Sequence, residues 1–540
     1  MENQIADRIA ELFEPWDRDN RPGGGVVVAR DGEPVFARTY GLADLDRSEP
    51  FTSSHLTSIA SCTKVFTGAV ILMLMGEGRL RPEDDIREYI PELYGLDERV
   101  SIAQLCHHSS GIKELLFLGM LLGAWPERLI DSERSFHLVT GQRTLNFTPG
   151  TRFSYSNSNY ALLSWIIERI TGSSFNDALT EYLFAPLGMD RTLVLSDSTR
   201  RPKHGVEGYI GDAPGVLDPA VYAIDGMGFG GMWSTIDDMT RWLVNLQTEA
   251  VGGSGFVSRL SRTSELNDGS PNTYAFGVNH SQYRGLPWLV HAGEVPGFRS
   301  AVIHFPEQRL GIFTCANHML EDPGLLGIQV ADLFLDRFGA EPRPEDRERE
   351  DSQPASMPVP PGWFQDPETG AGATLIEMES RPVLEILGTR VPLMADNAGG
   401  FRQAPGAPVA LVANFDGDRL TAVVDDLRVE LSRAPEASGG VAEFAGTYRS
   451  DELGAAYQVI ERDGELEATC DSAFGPTGPF PLLRKARDSF LHGGIAHGGA
   501  VMHFERDDDD EVTGFVACCN TATGIRFRRE TDDAQGERYA

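Results

Sequence analysis

The stretch from Gly339 to Gly362, GAEPRPEDREREDSQPASMPVPPG, limits what this chain can fold into more than any other. It is charged, proline-rich and aperiodic, which is the composition of a linker and not of a packed element. It separates a first part dominated by helical patterns from a last part made of short strand-like runs with turn signals. At 540 residues the chain also exceeds what a single hydrophobic core supports. The division expected is a domain over 1–338, a linker over 339–361, and two smaller domains over 362–437 and 438–540.

In the first part, Ile5, Ile9, Leu12 and Phe13 recur at helical spacing and predict an amphipathic opening helix. Gly25 to Ala29, a turn at Asp31-Gly32, and Pro34 to Ala37 read as a β-hairpin. The glycines at 23 to 25 precede their strand; a phosphate-binding loop follows a strand and opens a helix, so a nucleotide site is excluded. Helical patterns run from Thr63 to about Asp190. Strands return at Leu289 to His291, Ala301 to Phe305 and Leu310 to Cys315, and a helix closes the unit from Leu325 to Phe338. Strands at both ends with helices between predict an α+β domain, an antiparallel sheet flanked by helices.

The last part repeats. Gly362-Trp363-Phe364-Gln365-Asp366-Pro367-Glu368-Thr369-Gly370 is echoed 84 residues later by Gly446-Thr447-Tyr448-Arg449-Ser450-Asp451-Glu452-Leu453-Gly454. Leu427 to Arg433 and Ile525 to Arg529 close the two units with alternating strands. Two copies are too few for a solenoid or propeller. Two small antiparallel β-barrels are the expectation.

A formal net charge of −33 argues against nucleic acid and anionic membrane surfaces, both of which need clustered Lys and Arg. The acidic N-terminus has no apolar signal-like core, and no apolar run approaches the roughly 20 residues of a membrane-spanning helix. A cytoplasmic location is the expectation. Six cysteines are too few for a disulfide scaffold, and none forms a C-x-x-C pair. Adjacent Cys518 and Cys519 should face opposite sides of one strand. His492 and His497 lack a supporting ligand set, and Asp507 to Asp510 lacks the order of a calcium loop, so no metal and no cofactor are expected.

Lysine is scarce: Lys64, Lys113, Lys203 and Lys485 are the four in the chain. One of them stands three residues after Ser61, at the mouth of the apolar run TKVFTGAVILMLMG. Positions i and i+3 share a helix face, so the hydroxyl and amine can meet. A serine becomes a nucleophile when a base takes its proton. Lysine can be that base if burial lowers its pKa by roughly three units, about 4 kcal/mol at roughly 1.36 kcal/mol per unit. Ser110-Gly111-Ile112-Lys113 has the same spacing, but glycine after the serine weakens a helix start, and that copy reads as coincidence.

Tyr155-Ser156-Asn157 precedes a second long apolar helix. A phenol can relay protons, and an asparagine amide both donates and accepts hydrogen bonds. His291-Ala292-Gly293-Glu294 lies on a strand, where glycine leaves room for an extended substrate along the edge. These three motifs, in this order, resemble those of the penicillin-recognising serine hydrolases. That family (peptidase S12) includes class C β-lactamases, D,D-carboxypeptidases and D-aminopeptidases. Leu105 to Gly111, Phe184 to Met189 and Gly228 to Thr235 also resemble family segments.

The resemblance implies a β-lactamase/transpeptidase-like catalytic domain with Ser61 as acylated nucleophile, Lys64 as its base and Tyr155 as proton shuttle. Asn157, Asn279, His291, Gly293 and Glu294 would bind substrate, with the backbone N–H groups of Ser61 and Glu294 as oxyanion hole. His291 stands where β-lactamases carry a lysine, and a neutral imidazole does little for a β-lactam or C-terminal carboxylate. With two barrels appended, the chain is most similar to the bacterial D-aminopeptidase branch. That implies removal of N-terminal D-residues such as D-Ala from small peptides, amides or esters, in a homodimer; the alternative is an esterase or β-lactamase-like hydrolase using the same site. The resemblance also implies that the Asp471 to Phe480 loop reaches the amine-binding end. It carries one acid, so Glu294 or Asp225 would have to receive an ammonium.

Overall fold

The computed structural model describes the chain apart from residues 1, 125–129, 199, 214–215, 222–224, 343–352, 355–356, 367, 379–380, 387–388, 396–399, 404–410, 425–426, 494–499 and 531–540. Much of the expected linker, and His497, lie outside the described residues.

The first domain is built on a six-stranded antiparallel sheet. Its strands are β1 (Gly24–Arg30), β2 (Glu33–Tyr40), β3 (Asn279–Tyr283), β4 (Leu286–Val295), β5 (Phe298–Phe305) and β6 (Leu310–Ala316), in the order β3-β4-β5-β6-β1-β2. The N-terminal hairpin therefore completes a sheet whose other strands come some 250 residues later. Because side chains alternate across a strand, β1 feeds two cores. Val26 and Val28 pack with Ile9 and Phe13 of α1 (Glu2–Phe13) and with Val330 and Phe334 of α7 (Pro323–Leu335). Val27 and Ala29 face the opposite side, where the helical layer lies.

That layer holds α2 (Thr63–Gly76), α3 (Leu115–Leu121), α4 (Ser132–Thr140), α5 (Asn157–Thr171) and α6 (Ile236–Thr248). Every residue of α2 from Thr63 to Leu72 is buried, the condition of a helix that is apolar all round and runs through a core. α7 begins two residues before its apolar pattern does, at Pro323, with Asp322 capping it. Proline suits a first helical turn because its missing N–H would have had no partner there.

Both C-terminal domains are closed eight-stranded antiparallel barrels. In the first, eight strands from Gly362–Gln365 to Leu427–Arg433 each pair with the next. Phe364 opposite Arg433 joins the ends. Gln353–Pro354, inside the expected linker, adds a short pairing to Met394–Ala395. In the second, the strands run from Gly446–Ser450 to Ala522–Arg529, and Tyr448 opposite Arg529 closes the ring. The two copies of the sequence repeat are the first strand and first turn of each barrel. Cys518 packs into the first barrel's core, while Cys519 faces the interior of its own.

The second barrel is not a separate body. Its core residues Phe504, Phe515 and Phe527 belong to one continuous cluster with Leu118 and Leu121 of α3 and the rest of the helical layer. No helix among the described residues is long and apolar enough to cross a membrane.

Candidate active site

Ser61 sits in a short 3₁₀ turn, Ala60–Cys62, that leads directly into α2. Ala60 has a φ of 48°, in the left-handed region that non-glycine residues avoid. This turn aims the serine outward: Ser61 is partly exposed, whereas Ile59, Ala60, Cys62, Thr63 and Lys64 are buried. Bonds from Ile59 N–H to the Met232 carbonyl (3.0 Å) and from the Ser300 hydroxyl to the Ile59 carbonyl (2.7 Å) hold the turn in place.

Lys64 is completely buried. Its Nζ lies 2.7 Å from Asn157 Oδ1, 2.8 Å from the Phe229 carbonyl oxygen and 3.2 Å from Ser61 Oγ. Burial drives its pKa well below the ordinary lysine value, with Glu114 pulling weakly the other way. A neutral amine has two N–H donors and one lone pair. Two oxygens that can only accept take the two donors, so the lone pair is left for the serine hydroxyl. Nζ also lies 4.7 Å from the centre of the Tyr155 ring. Burial pushes the Tyr155 phenol up, and a hydrogen bond with Ser61 opposes it. That phenol is therefore protonated at neutral pH.

On the facing strand β4, His291 Nδ1 lies 2.7 Å from the Ala292 carbonyl and Nε2 lies 2.9 Å from the Tyr274 hydroxyl. A carbonyl can only accept, so Nδ1 carries the hydrogen and Nε2 accepts from Tyr274. Burial, with Lys64 nearby, lowers the imidazole pKa to about 3. Two residues on, Gly293 passes close to the serine turn: a Cβ there would stand 2.4 Å from the Ile59 oxygen and 3.0 Å from the Ser61 nitrogen. Asn157 thus contacts Lys64, Gly293 approaches the main chain of Ser61, and His291 stands two residues before that glycine on the same strand. Glu294 pairs with Arg299 at 2.9 Å. Asn279 stands one strand further out, opposite Val290, and its amide donates to Thr273 Oγ1 at 3.3 Å.

Some of the site is invisible to motif reading. Glu114 is buried one residue after the second S-x-x-K; its carboxylate accepts from Asn157 N–H (3.3 Å) and from Phe117 N–H (2.9 Å), capping α3. Burial raises its pKa, and those hydrogen bonds oppose the rise. In sequence it reads as an ordinary acidic cap before an apolar helix. Phe229 contributes a main-chain oxygen, for which no side-chain signal exists. Tyr274 and His108, whose rings lie 4.5 Å apart with Tyr155 also 4.5 Å from His108, pack the back of the site. Asp225 is engaged elsewhere, with the Ser198 N–H (3.0 Å) and the Ser132 N–H (3.4 Å). Ser110 and Lys113 diverge: the serine bonds Asn159 Oδ1 (2.6 Å) and the lysine Thr144 Oγ1 (2.8 Å). The Asp471–Phe480 loop lies against the end of α3 and against α4, with Ser472 Oγ 3.5 Å from the Leu122 carbonyl and Phe474 under Arg134.

A helix-mouth serine, a buried lysine in hydrogen-bond reach, a neighbouring tyrosine and a facing strand with glycine define a serine hydrolase of the penicillin-recognising type. Residues 6–333 match the family model described as Beta-lactamase, and the chain belongs to that family. It is similar to the D-aminopeptidase of Brucella anthropi, 29% identical over 517 residues, which cover 94% of this chain and 95% of the relative. The D-aminopeptidase of Brucella ovis is 28% identical over 517 residues, with 94% and 96% covered. Among solved structures, an octameric penicillin-binding protein homologue from Pyrococcus abyssi superposes with a TM-score of 0.56 at 20% identity, covering 80% of this chain and 99% of that one. The D-amino acid amidase of Ochrobactrum anthropi SV3 complexed with D-phenylalanine gives 0.52 at 20% identity, covering 62% and 99%. The structural likenesses are likenesses of fold.

Proposed function

We propose that this serine hydrolase is an aminopeptidase that releases N-terminal D-residues from small peptides, amides or esters through an acyl-enzyme on Ser61. The observation that carries the reading is the charge of the site. The strand position that would hold a cation for a substrate carboxylate holds His291, kept neutral by burial and the nearby Lys64 and oriented by Ala292 and Tyr274. The carboxylate beside Asn157 and Lys64 is the buried Glu114. Such a site favours a substrate with an ammonium over one with a carboxylate. The D-aminopeptidase relatives support the same reading across nearly the full chain.

In this mechanism Lys64 Nζ accepts the Ser61 proton as Oγ attacks the substrate carbonyl. The N–H groups of Ser61 and Glu294 receive the oxyanion, which gains most from donors held in place before charge develops. Tyr155, kept protonated by burial, hands a proton to the leaving amine and draws one from water in deacylation. Asn157 fixes Lys64 through Oδ1 and presents its N–H to Glu114, the partner for the substrate's ammonium.

A panel of D- and L-aminoacyl p-nitroanilides, with p-nitrophenyl acetate and Ser61→Ala as controls, tests the reading. Turnover of D-Ala p-nitroanilide that Ser61→Ala abolishes is the expected result. Hydrolysis of the acetyl ester without any aminoacyl anilide would replace it with an esterase.

A further inference from the structure

The second barrel meets the catalytic domain at a buried ion pair. Glu452, in the turn after the barrel's first strand, lies 3.5 Å from Lys113 Nζ, with side-chain exposures of 13% and 1%. The same carboxylate oxygen accepts the Arg143 N–H at 3.1 Å. Lys113 Nζ also donates to the carbonyl and hydroxyl of Thr144. A buried ammonium that loses its counter-charge is strongly destabilised, so a pair like this constrains both partners.

The main chain of Lys113 is tied just as firmly. Its N–H donates to Gln142 Oε1 (2.9 Å), and its carbonyl accepts from Gln142 Nε2 (3.1 Å) and from Ser158 Oγ (2.7 Å). The residues on either side of this clamp are those of the site: Glu114 follows Lys113, and Asn157 precedes Ser158. Glu114 accepts the Asn157 N–H, and Asn157 Oδ1 accepts from Lys64. Polar contacts joined by the covalent steps Lys113–Glu114 and Asn157–Ser158 therefore lead from the second barrel to Lys64.

We propose that Glu452 is a positioning residue of the active site, acting through Lys113 to set Glu114 and Asn157 against Lys64. The inference rests on the reading of Lys64 as the base of Ser61. It makes the second barrel a working part of the catalytic centre by a route separate from the Asp471–Phe480 loop. Glu452 touches no reacting atom. Its effect is geometric, and displacements of a fraction of an ångström at a base are costly because proton transfer needs hydrogen-bond reach.

The test is Glu452→Gln in the full chain. Glutamine keeps an acceptor for the Arg143 N–H but leaves the Lys113 charge unbalanced. The readout is the rate of Ser61 acylation by a fluorophosphonate, taken per folded molecule, beside kcat and KM for D-Ala p-nitroanilide and the melting temperature. The phosphonate needs no ammonium, so it reports Ser61 and Lys64 even if the aminopeptidase reading fails. Expected is an acylation rate about tenfold lower, with kcat falling in parallel and Glu452→Asp lying between, about two- to fivefold below wild type. A folded Glu452→Gln protein acylated at the wild-type rate overturns the proposal, as does a loss fully accounted for by the unfolded fraction. Should the glutamine variant not fold, Glu452→Asp is read the same way: a two- to fivefold slower acylation supports positioning and a wild-type rate refutes it.

Discussion

Replacing Gly293 by alanine is the smallest change that interrogates the contact between strand β4 and the serine turn. Gly293 has no left-handed φ in this structure, so alanine carries no backbone penalty and the cost is steric. The added carbon would stand 2.4 Å from the Ile59 oxygen, 2.7 Å from Ser300 Oγ and 3.0 Å from the Ser61 nitrogen. The shortest tolerable carbon–oxygen approach is about 3.3 Å. The strand or the turn must then move by about 0.9 Å (3.3 − 2.4). Neither is free to do so. Gly293 is paired with Ser300 on β5, and Ser300 in turn holds the Ile59 carbonyl. Overpacking of this kind costs about 1–3 kcal/mol of stability. Its catalytic cost is larger, because in the proposed mechanism the Ser61 N–H is one of the two oxyanion donors. Displacements near 1 Å at a reacting centre cost on the order of 100-fold, or about 2.7 kcal/mol of transition-state stabilisation. The assay is kcat/KM for D-Ala p-nitroanilide and for p-nitrophenyl acetate, with thermal unfolding alongside. Both substrates should lose about 100-fold, since both need the same oxyanion site. A folded Gly293→Ala enzyme with wild-type kcat would show that β4 does not set the position of Ser61, and the reasoning would fail.

Lys64 should impose an acid limb on kcat/KM. Its pKa is lowered by burial, so the active amine is present above the folded-state pKa and is lost as pH falls through it. The same sign makes Lys64 a stability cost near neutrality, where the unfolded lysine binds a proton that the folded one must release. Lys64→Met should therefore abolish turnover while leaving the melting temperature at pH 7 equal or higher; a marked fall would contradict a neutral buried amine. Glu114→Gln should raise KM for D-aminoacyl anilides about tenfold or more, the scale of one lost charge-assisted hydrogen bond. The acetyl ester, which has no ammonium, should be affected far less. Equal losses on both substrates would assign Glu114 to structure alone.

Some of this chemistry is contained in local spacing. Ser61 and Lys64 meet because i and i+3 share a helix face, and TKVFTGAVILMLMG is apolar enough to bury whatever lysine it carries. The two barrels are legible because each repeats its own opening strand and turn, GWFQDPETG and GTYRSDELG. The α+β class follows from strands at both ends of a helical stretch. None of these inferences needs a contact between distant residues.

What the tertiary structure alone decided is which groups complete the site. Lys64 Nζ is held by one side-chain oxygen from Asn157 and one main-chain oxygen from Phe229, 93 and 165 residues away in sequence. A carbonyl has no letter of its own in a sequence, so that partner could not have been read. Glu114 looks like a helix cap, and it is one; folding α5 against it also gives it the Asn157 N–H, one residue contact away from Lys64. Asn279, expected to bind substrate, lies on β3 opposite Val290, a register that only the sheet sets. The second barrel, legible as a module, shares a continuous core with α3 and supplies Glu452 to Lys113. Periodicity determines local conformation and which face is buried. Desolvation and charge pairing at Lys64 depend on what the rest of the chain brings to that face, and only the folded arrangement sets them.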